Sequence, residues 1–458
     1  MSAPVLLWFR QDLRLSDQAA LVAAAAQGAV IPAYILDDEA PRQWAIGGAS
    51  RWWLHHSLVS LDASLRAKGS RLILRRGKSA DVLKALAQES GARKVHALRH
   101  YEPWWRNVEK AVGKVVDLRL YDGALLLDPG RVRTGAGGLY RIYTPFWRAL
   151  RDQMPPPAPL AEPGRIDAPA QWPDSDRLAQ WKLLPTAPDW AARFDEDWTP
   201  GEAGARARVA AFHDEAADYD IARNLPSVEG TSRLSPHLHF GEVSPAHVWH
   251  QIANAPGDAT TFLKELAWRD YAHNVIVQLP AYGSENGHLA FDALPWRDLR
   301  SARRDFAAWK RGRTGYPIVD AGMRQLWATG WMHNRVRMIA ASFLIKHLLI
   351  DWRHGARWFW DTLIDADYAN NSVNWQWVAG SGIDANLFTR IMAPLTQSPK
   401  FDAAGYIRAW VPELAHLDDR TIHDPDDHGV RPAAYPAKII GHREARARAL
   451  AAYADIKG

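Results

Sequence analysis

The sequence contains no cysteine. That single absence removes disulfides, thiol nucleophiles, thiolate zinc sites and iron–sulfur clusters. Long apolar runs are missing too. The opening stretch VLLWF meets Arg10, Asp12 and Arg14 at once, so it reads neither as a membrane helix nor as a signal peptide, and a cytoplasmic protein with no membrane partner is expected. Charge of one sign is scarce. Lys plus Arg (56) exceeds Asp plus Glu (51) by five, with a pI of about 9.3, which suits a basic groove but not a wholly cationic arm. Internal repeats and low-complexity segments are also absent. At 458 residues the chain has room for two to three domains.

Tryptophan, by contrast, is abundant, with 23 residues, most of them read as core volume. Over residues 1–130 short apolar runs alternate with stretches of helical period. Val5–Phe9, Val30–Leu36, residues 71–74, Lys94–Leu98 and residues 115–120 read as buried strands, with helices at 54–65 and 80–86 between them. The alternation predicts an α/β domain with a doubly wound parallel sheet. RQDLRL follows the first strand in place of a glycine fingerprint, so no dinucleotide phosphate is expected on that turn. Five prolines within residues 154–163 mark 131–199 as an irregular connector. From 200 to 458 the strand signal stops and helical patterns dominate, which predicts an all-helical second domain.

Four segments carry chemistry. In GTSRLSPHLHFGEVSP (230–245), Ser235 before Pro236 and Ser244 before Pro245 read as helix caps. Thr231, Ser232 and Ser235 add hydroxyls to the free N–H groups of a helix start, which suits a diphosphate cradle and equally suits plain capping. In FLKELAWRDY (262–271), Glu265, Trp268 and Arg269 share one helix face. A carboxyl in a semi-dry pocket beside an aromatic has its pKa raised and gains a hydrogen to donate; an exposed Glu–Arg pair over a buried Trp has the same spacing. In residues 330–352, Gly330 ends one helix and a longer one follows, with Asn334, Arg337, Met338 and Ala341 on one stripe. An amide and a guanidinium there need a polar partner, either a ligand or a carboxylate. In DADYANNSVNWQWVAG (365–380), Asn371 and Trp375 look the same way and Trp377 roughly 200° around the helix from Trp375. Asp365 and Asp367 suit ribose hydroxyls and a nearby arginine.

Residues 297–337 hold ten basic side chains against three acidic ones, interleaved with Trp296, Trp309 and Trp331. Such a run fits a solvated helix face, or a groove that tracks a phosphate backbone and stacks bases. The histidine pairs His55/His56 and His237/His239 lack a third ligand, and no metal site is expected.

Together, and in this order, the segments from LLWFRQDLRLSD to KFDAAGYIRAWVPEL resemble the DNA photolyase/cryptochrome family nearly end to end. The resemblance implies an N-terminal antenna domain and a C-terminal helical domain holding FAD. It further implies FAD contacts at Tyr219, Thr231, Ser232, Leu234, Ser235, Arg337, Asp365, Asp367 and Asn371. A pocket for a flipped-out pyrimidine dimer falls on Glu265, Trp268, Asn334, Met338 and Trp377. DNA contacts fall on Arg223, Trp268, Arg269, Asn334 and Arg335, and an electron-hopping chain on Trp375, Trp352 and Trp296. The family's folate contacts fall on Gly47, Trp104 and Trp105, which match poorly, so the antenna is left as a folate held otherwise, a deazaflavin or an empty pocket. At the position facing flavin N5 plant cryptochromes have Asp; Asn371 here tolerates an anionic reduced flavin better and favours repair. The helix HNRVRM lacks the histidine pair of the (6-4) enzymes. The expectation is a deoxyribodipyrimidine photo-lyase, a monomer that repairs cyclobutane dimers in UV-damaged DNA. The alternatives are a cryptochrome-type photoreceptor and a Trp-rich single-strand binder without catalysis.

Overall fold

The computed structural model describes residues 3–385, 388 and 390–456. Five strands, β1 Val5–Phe9, β2 Val30–Leu36, β3 Ile73–Arg76, β4 Lys94–Leu98 and β5 Asp117–Tyr121, form one parallel sheet in the order β3-β2-β1-β4-β5. Central β1 pairs with β2 from Val5↔Val30 to Phe9↔Tyr34 and with β4 at Leu6↔Val95. It is buried on both faces, hence its unbroken apolar sequence. The Ala19–Ala25, Gly48–Ala67, Ser79–Ser90 and Pro103–Val112 helices make the crossovers.

Two strands start later than the sequence pattern predicts, because the residues before them finish the preceding helix. Ser70 N donates to Leu65 O (2.9 Å) and Leu72 N to Asp62 Oδ1 (2.8 Å), so β3 starts at Ile73 and not at residue 71. Val115 N and Val116 N both donate to Val112 O (2.9 and 3.0 Å), and β5 starts at Asp117.

One sheet face packs Leu6, Trp8, Ile31, Ile73, Leu83 and Leu86. The other face shares its core with the rest of the chain: Leu7, Phe9, Trp53 and Leu58 meet Ile166, Trp181, Phe194 and Trp198, together with Phe240, Trp331 and Ile364. The proline-rich segment divides accordingly. Its Tyr143–Arg151 helix buries Phe146 and Leu150 in the helical core. Its later part returns along the sheet, where Asp167 O accepts from Val30 N (2.9 Å) and Asp176 N donates to Leu74 O (2.8 Å). Among the described residues no strand follows Tyr121, and helices continue to Ala454.

The two halves are joined by polar groups as well as by apolar packing. Buried Glu242 accepts from Trp53 Nε1 (3.0 Å) and Gly201 N (2.7 Å) and pairs with His237 Nδ1 (2.5 Å). Leu13 N donates to Phe240 O (3.0 Å) and Arg14 Nη1 to Gly241 O (2.9 Å). Gly241 has φ +64°, and a Cβ there would lie 2.2 Å from Gln11 O, so only glycine lets these loops touch.

Glu202, at the start of the Glu202–Glu215 helix, accepts from Leu15 N (2.7 Å), the Ser16 hydroxyl and Arg206 (2.9 Å). Burial opposes its charge, but these donors hold its carboxyl below the usual range. A depressed folded pKa contributes stability above the unfolded value that is lost as pH falls through the folded one. Urea unfolding of Glu202→Gln is therefore expected to show a constant loss against the unsubstituted protein above pH ~5, shrinking towards zero at lower pH.

Candidate active site

A cavity of about 500 Å³ opens in the helical half, within the size range that holds whole small ligands. Four separated stretches build it. The 19-residue Thr260–Gln278 helix presents Phe262, Glu265, Leu266, Trp268 and Arg269, spaced at one face of a 3.6-residue period. The Asn334–Ser342 helix presents Asn334, Arg337, Met338 and Ala341. The Tyr368–Ala379 helix presents Asn371, Trp375 and Trp377 below Asp365 and Asp367. Residues 231–235 close a further side. Exposed Lys264, Asn334 and Asn374 mark the mouth; buried Leu234, Asp365, Asp367 and Trp375 mark the interior.

Its charges are paired. Arg337 meets Asp365 through both guanidinium nitrogens (3.1 and 2.9 Å), and its Nε donates to Met332 O (2.7 Å). Asp367 caps its helix, accepting from Asn370 N (2.7 Å). Against the cost of burial, His273, His239 and Arg269 hold its carboxyl well below the usual range. Nearer the mouth Glu265 accepts the Tyr219 hydroxyl and pairs with Arg223. Burial raises the Glu265 pKa while Arg223 and Tyr219 oppose it. Trp268 lies against Tyr143 (4.7 Å between rings) and Tyr271 (5.2 Å), and its indole N–H has no partner.

Of the expected residues, Tyr219, Arg223, Thr231, Ser232, Leu234, Ser235, Glu265, Trp268, Asn334, Arg337, Met338, Asp365, Asp367, Asn371, Trp375 and Trp377 all border this one cavity. Trp352 lies beyond it, fully buried, donating to Asn286 Oδ1 (3.0 Å); Trp296 is half-buried. Gly355, on the Trp352–Thr362 helix, is where Trp375 seats, since a Cβ there would lie 2.2 Å from its ring.

Several details differ from the sequence reading. Ser235 is the first residue inside the Ser235–His239 helix, and the cap falls on Leu234, because Arg233 at φ +51° turns the chain one residue early; Ser244 does cap, accepting from His247 N (3.0 Å). Arg269 is committed to backbone, donating to Ala124 O (2.7 Å) and Leu238 O (3.3 Å), which makes it an interior strut and not a free phosphate contact. The longer helix after Gly330 is not uniform: Asn334–Ser342 widens into a π-turn at Phe343–His347 and stops. Trp375 and Trp377, although on different sides of their helix by spacing, both border this cavity. The basic run 297–337 is not one groove. Arg297 pairs with Asp305, Arg324 with Glu413 and Arg337 with Asp365, and Trp309 and Trp331 are buried. Within that run Arg335 stays beside the mouth residues, donating to Asn224 Oδ1 with Phe401 beneath it (4.4 Å).

The sequence reading missed Tyr143, Arg233 and His239, which also line the cavity. Arg233, held between Trp198 and Trp331 (5.2 Å each), sat inside a segment already singled out. Tyr143 comes from the connector, where no motif pointed to it. Gly47, Trp104 and Trp105 face protein: a Cβ on Gly47 would lie 2.4 Å from Trp360 O, Trp104 packs on Tyr368 and Trp105 on Trp8.

A doubly wound domain seated on a helical domain with a polar-floored, Trp-walled cavity defines a class of flavin-binding proteins. Residues 262–455 match the family model described as the FAD binding domain of DNA photolyase, and residues 5–164 match the DNA photolyase model. A deoxyribodipyrimidine photo-lyase of Agrobacterium fabrum is 49% identical, over 100% of this chain and 98% of that protein. Cryptochrome-2 of Arabidopsis thaliana is 36% identical, over 93% of this chain and 73% of that protein. The crystal structure of a bacterial class III photolyase from Agrobacterium tumefaciens superposes with a TM-score of 0.95 at 48% identity, covering 100% of this chain and 98% of that one. The chain belongs to the DNA photolyase family. FAD fits the donor set: the buried Arg233 Nε makes no hydrogen bond and only a 3.5 Å ion pair with exposed Glu229, and the hydroxyls of Thr231, Ser232 and Ser235 stand at the cavity wall.

Asp365 neutralises Arg337 inside this cavity. Asp365→Ala is expected to lower unfolding stability by about 3 kcal/mol, since it strands a partly buried guanidinium. Arg337→Ala/Asp365→Ala is expected to lose less than the sum of the single changes, read by urea denaturation.

Proposed function

We propose that this protein repairs cyclobutane pyrimidine dimers in DNA with light, as a deoxyribodipyrimidine photo-lyase. The observation that carries the reading is that one cavity unites an interior floor of Arg337, Asp365, Asp367 and Asn371 with a mouth of Glu265, Trp268, Asn334, Met338 and Trp377. When bound and reduced, FAD supplies on illumination the electron that splits the dimer.

The side chains have separable tasks. Arg223 and Arg335, beside the mouth, attract the phosphate backbone, and a dimer that is already weakly stacked flips out at modest cost. Trp268 and Trp377 form its apolar wall, with Trp268 held by the Tyr143 and Tyr271 rings. Asn334 and Glu265 hydrogen-bond the base carbonyls, where negative charge develops as the ring opens. Asn371, whose amide donates to Ala356 O (3.2 Å), places a neutral group where a carboxylate would repel an anion. Trp375, Trp352 and Trp296 carry electrons inward to the cavity. The likeness to the class III enzyme supports a place in that branch.

Two assays test this. Protein with reduced FAD, mixed with a thymine-dimer oligonucleotide, is expected to remove dimers under blue light and not in the dark. No loss of dimers would overturn the repair reading in favour of a photoreceptor. Trp375→Phe is expected to abolish photoreduction of oxidised FAD while the chemically reduced variant still repairs; loss of both activities would refute the division of labour.

A further inference from the structure

A cluster of buried titratable groups lies where the two halves meet, and the repair chemistry leaves two of its members, Glu102 and His273, without a task. Glu102 stands at the start of the Pro103–Val112 helix, His273 on the Thr260–Gln278 helix, and Asp367 at the cap of the Tyr368–Ala379 helix. One ligand atom from each lies within 4.8 Å of the others, and all three residues are buried. Two carboxylates, Glu102 and Asp367, face each other there, with Arg10 and Arg269 offsetting part of their charge. The Glu102 carboxyl is pushed up to about 7 by burial and by the facing Asp367 carboxylate.

The imidazoles sharpen the problem. His273 Nδ1 sits 2.9 Å from Arg269 O and donates its hydrogen there, so a neutral ring turns its Nε2 lone pair towards Asp367 Oδ2, 3.7 Å away. His239 Nδ1 makes no hydrogen bond although the residue is only 4% exposed, and lies at ion-pair distance, 3.9 Å, from the same oxygen. Two carboxylates and the His273 imidazole thus crowd one buried point, with the His239 ring beside Asp367, and such a set is costly in a dry interior unless something bridges it.

We propose that Glu102, His273 and Asp367, with His239 as fourth donor, bind one divalent metal ion of the zinc class. Two carboxylates and two imidazoles are a donor set that Zn²⁺ accepts, at about 2.0–2.2 Å from each atom. Donors around such an ion stand closer together than those seen here, so binding draws the four side chains inward. Outer partners are in place, as metal ligands require. Arg269 O holds His273, Tyr101 N donates to Glu102 Oε2 (3.2 Å), and Asn370 donates twice to Asp367 Oδ1 (2.7 and 2.8 Å). His239 and Asp367 also border the cavity, so an ion bound here would adjoin the FAD site. Bound there, it would clamp the α/β domain to the helix that carries Asn371 and Trp375.

The test uses tag-free protein with its FAD, stripped by a chelator and titrated with Zn²⁺ alone, then desalted and analysed for metal. About one ion per chain is expected, with a raised Tm. Glu102→Gln and His273→Gln are each expected to retain less than a tenth of that and to show no Tm rise with Zn²⁺. Wild-type protein that retains no more Zn²⁺ than either variant would overturn the proposal and leave the cluster to protons. The metal content of the wild type decides even if a variant fails to fold, and it is independent of whether dimers are repaired.

Discussion

Burying charge without leaving it alone is the constraint on which the helical half depends. Its cavity has a floor and walls of Arg, Asp, Glu and Asn on otherwise apolar helices, and a lone buried charge costs several kcal/mol. Each such group is therefore answered from another element. Arg337 is answered by Asp365, Glu265 by Arg223 and Tyr219, and Arg269 by the carbonyls of Ala124 and Leu238. These pairs connect segments far apart in sequence, so satisfying them also fixes how the helices stand around the cavity.

The same logic runs through the seam between the halves. Glu242 joins Trp53, Gly201 and His237, and Arg14 reaches Gly241 across a glycine that no side chain can replace without a clash. The sheet thereby becomes part of the wall behind the site, with Trp331 packed both in the shared core and beside Arg233. Polar contacts set the register, and the apolar interface supplies most of the stabilisation.

Much of this was legible before any coordinates. β1, β2 and β4 fall where their apolar runs predict, because strands buried on both faces leave an unbroken signature. β3 and β5 are shifted because the helix-ending turns before them contain apolar Leu72, Val115 and Val116, which read as part of the strand. The helical spacing of Glu265 with Trp268, and of Asn334 with Met338, places each pair on the cavity correctly. Spacing could not tell which arginines stay free. Arg269 reads like a groove residue until Ala124 and Leu238 are seen beside it, and the basic run 297–337 is dispersed by partners such as Glu413 that lie far away in the chain. Tyr143 and the Glu102–His273–Asp367 cluster were hidden for the same reason: each is a meeting of distant segments.

The central claim is that one cavity brings the flavin within electron-transfer reach of a base held at its mouth. The fluorescence lifetime of the reduced flavin in the FAD-loaded protein tests it most directly, measured with saturating dimer-containing or undamaged oligonucleotide. The account predicts a lifetime shortened by the dimer and unchanged by undamaged DNA. Equal lifetimes with both DNAs, at proven saturation, would contradict it.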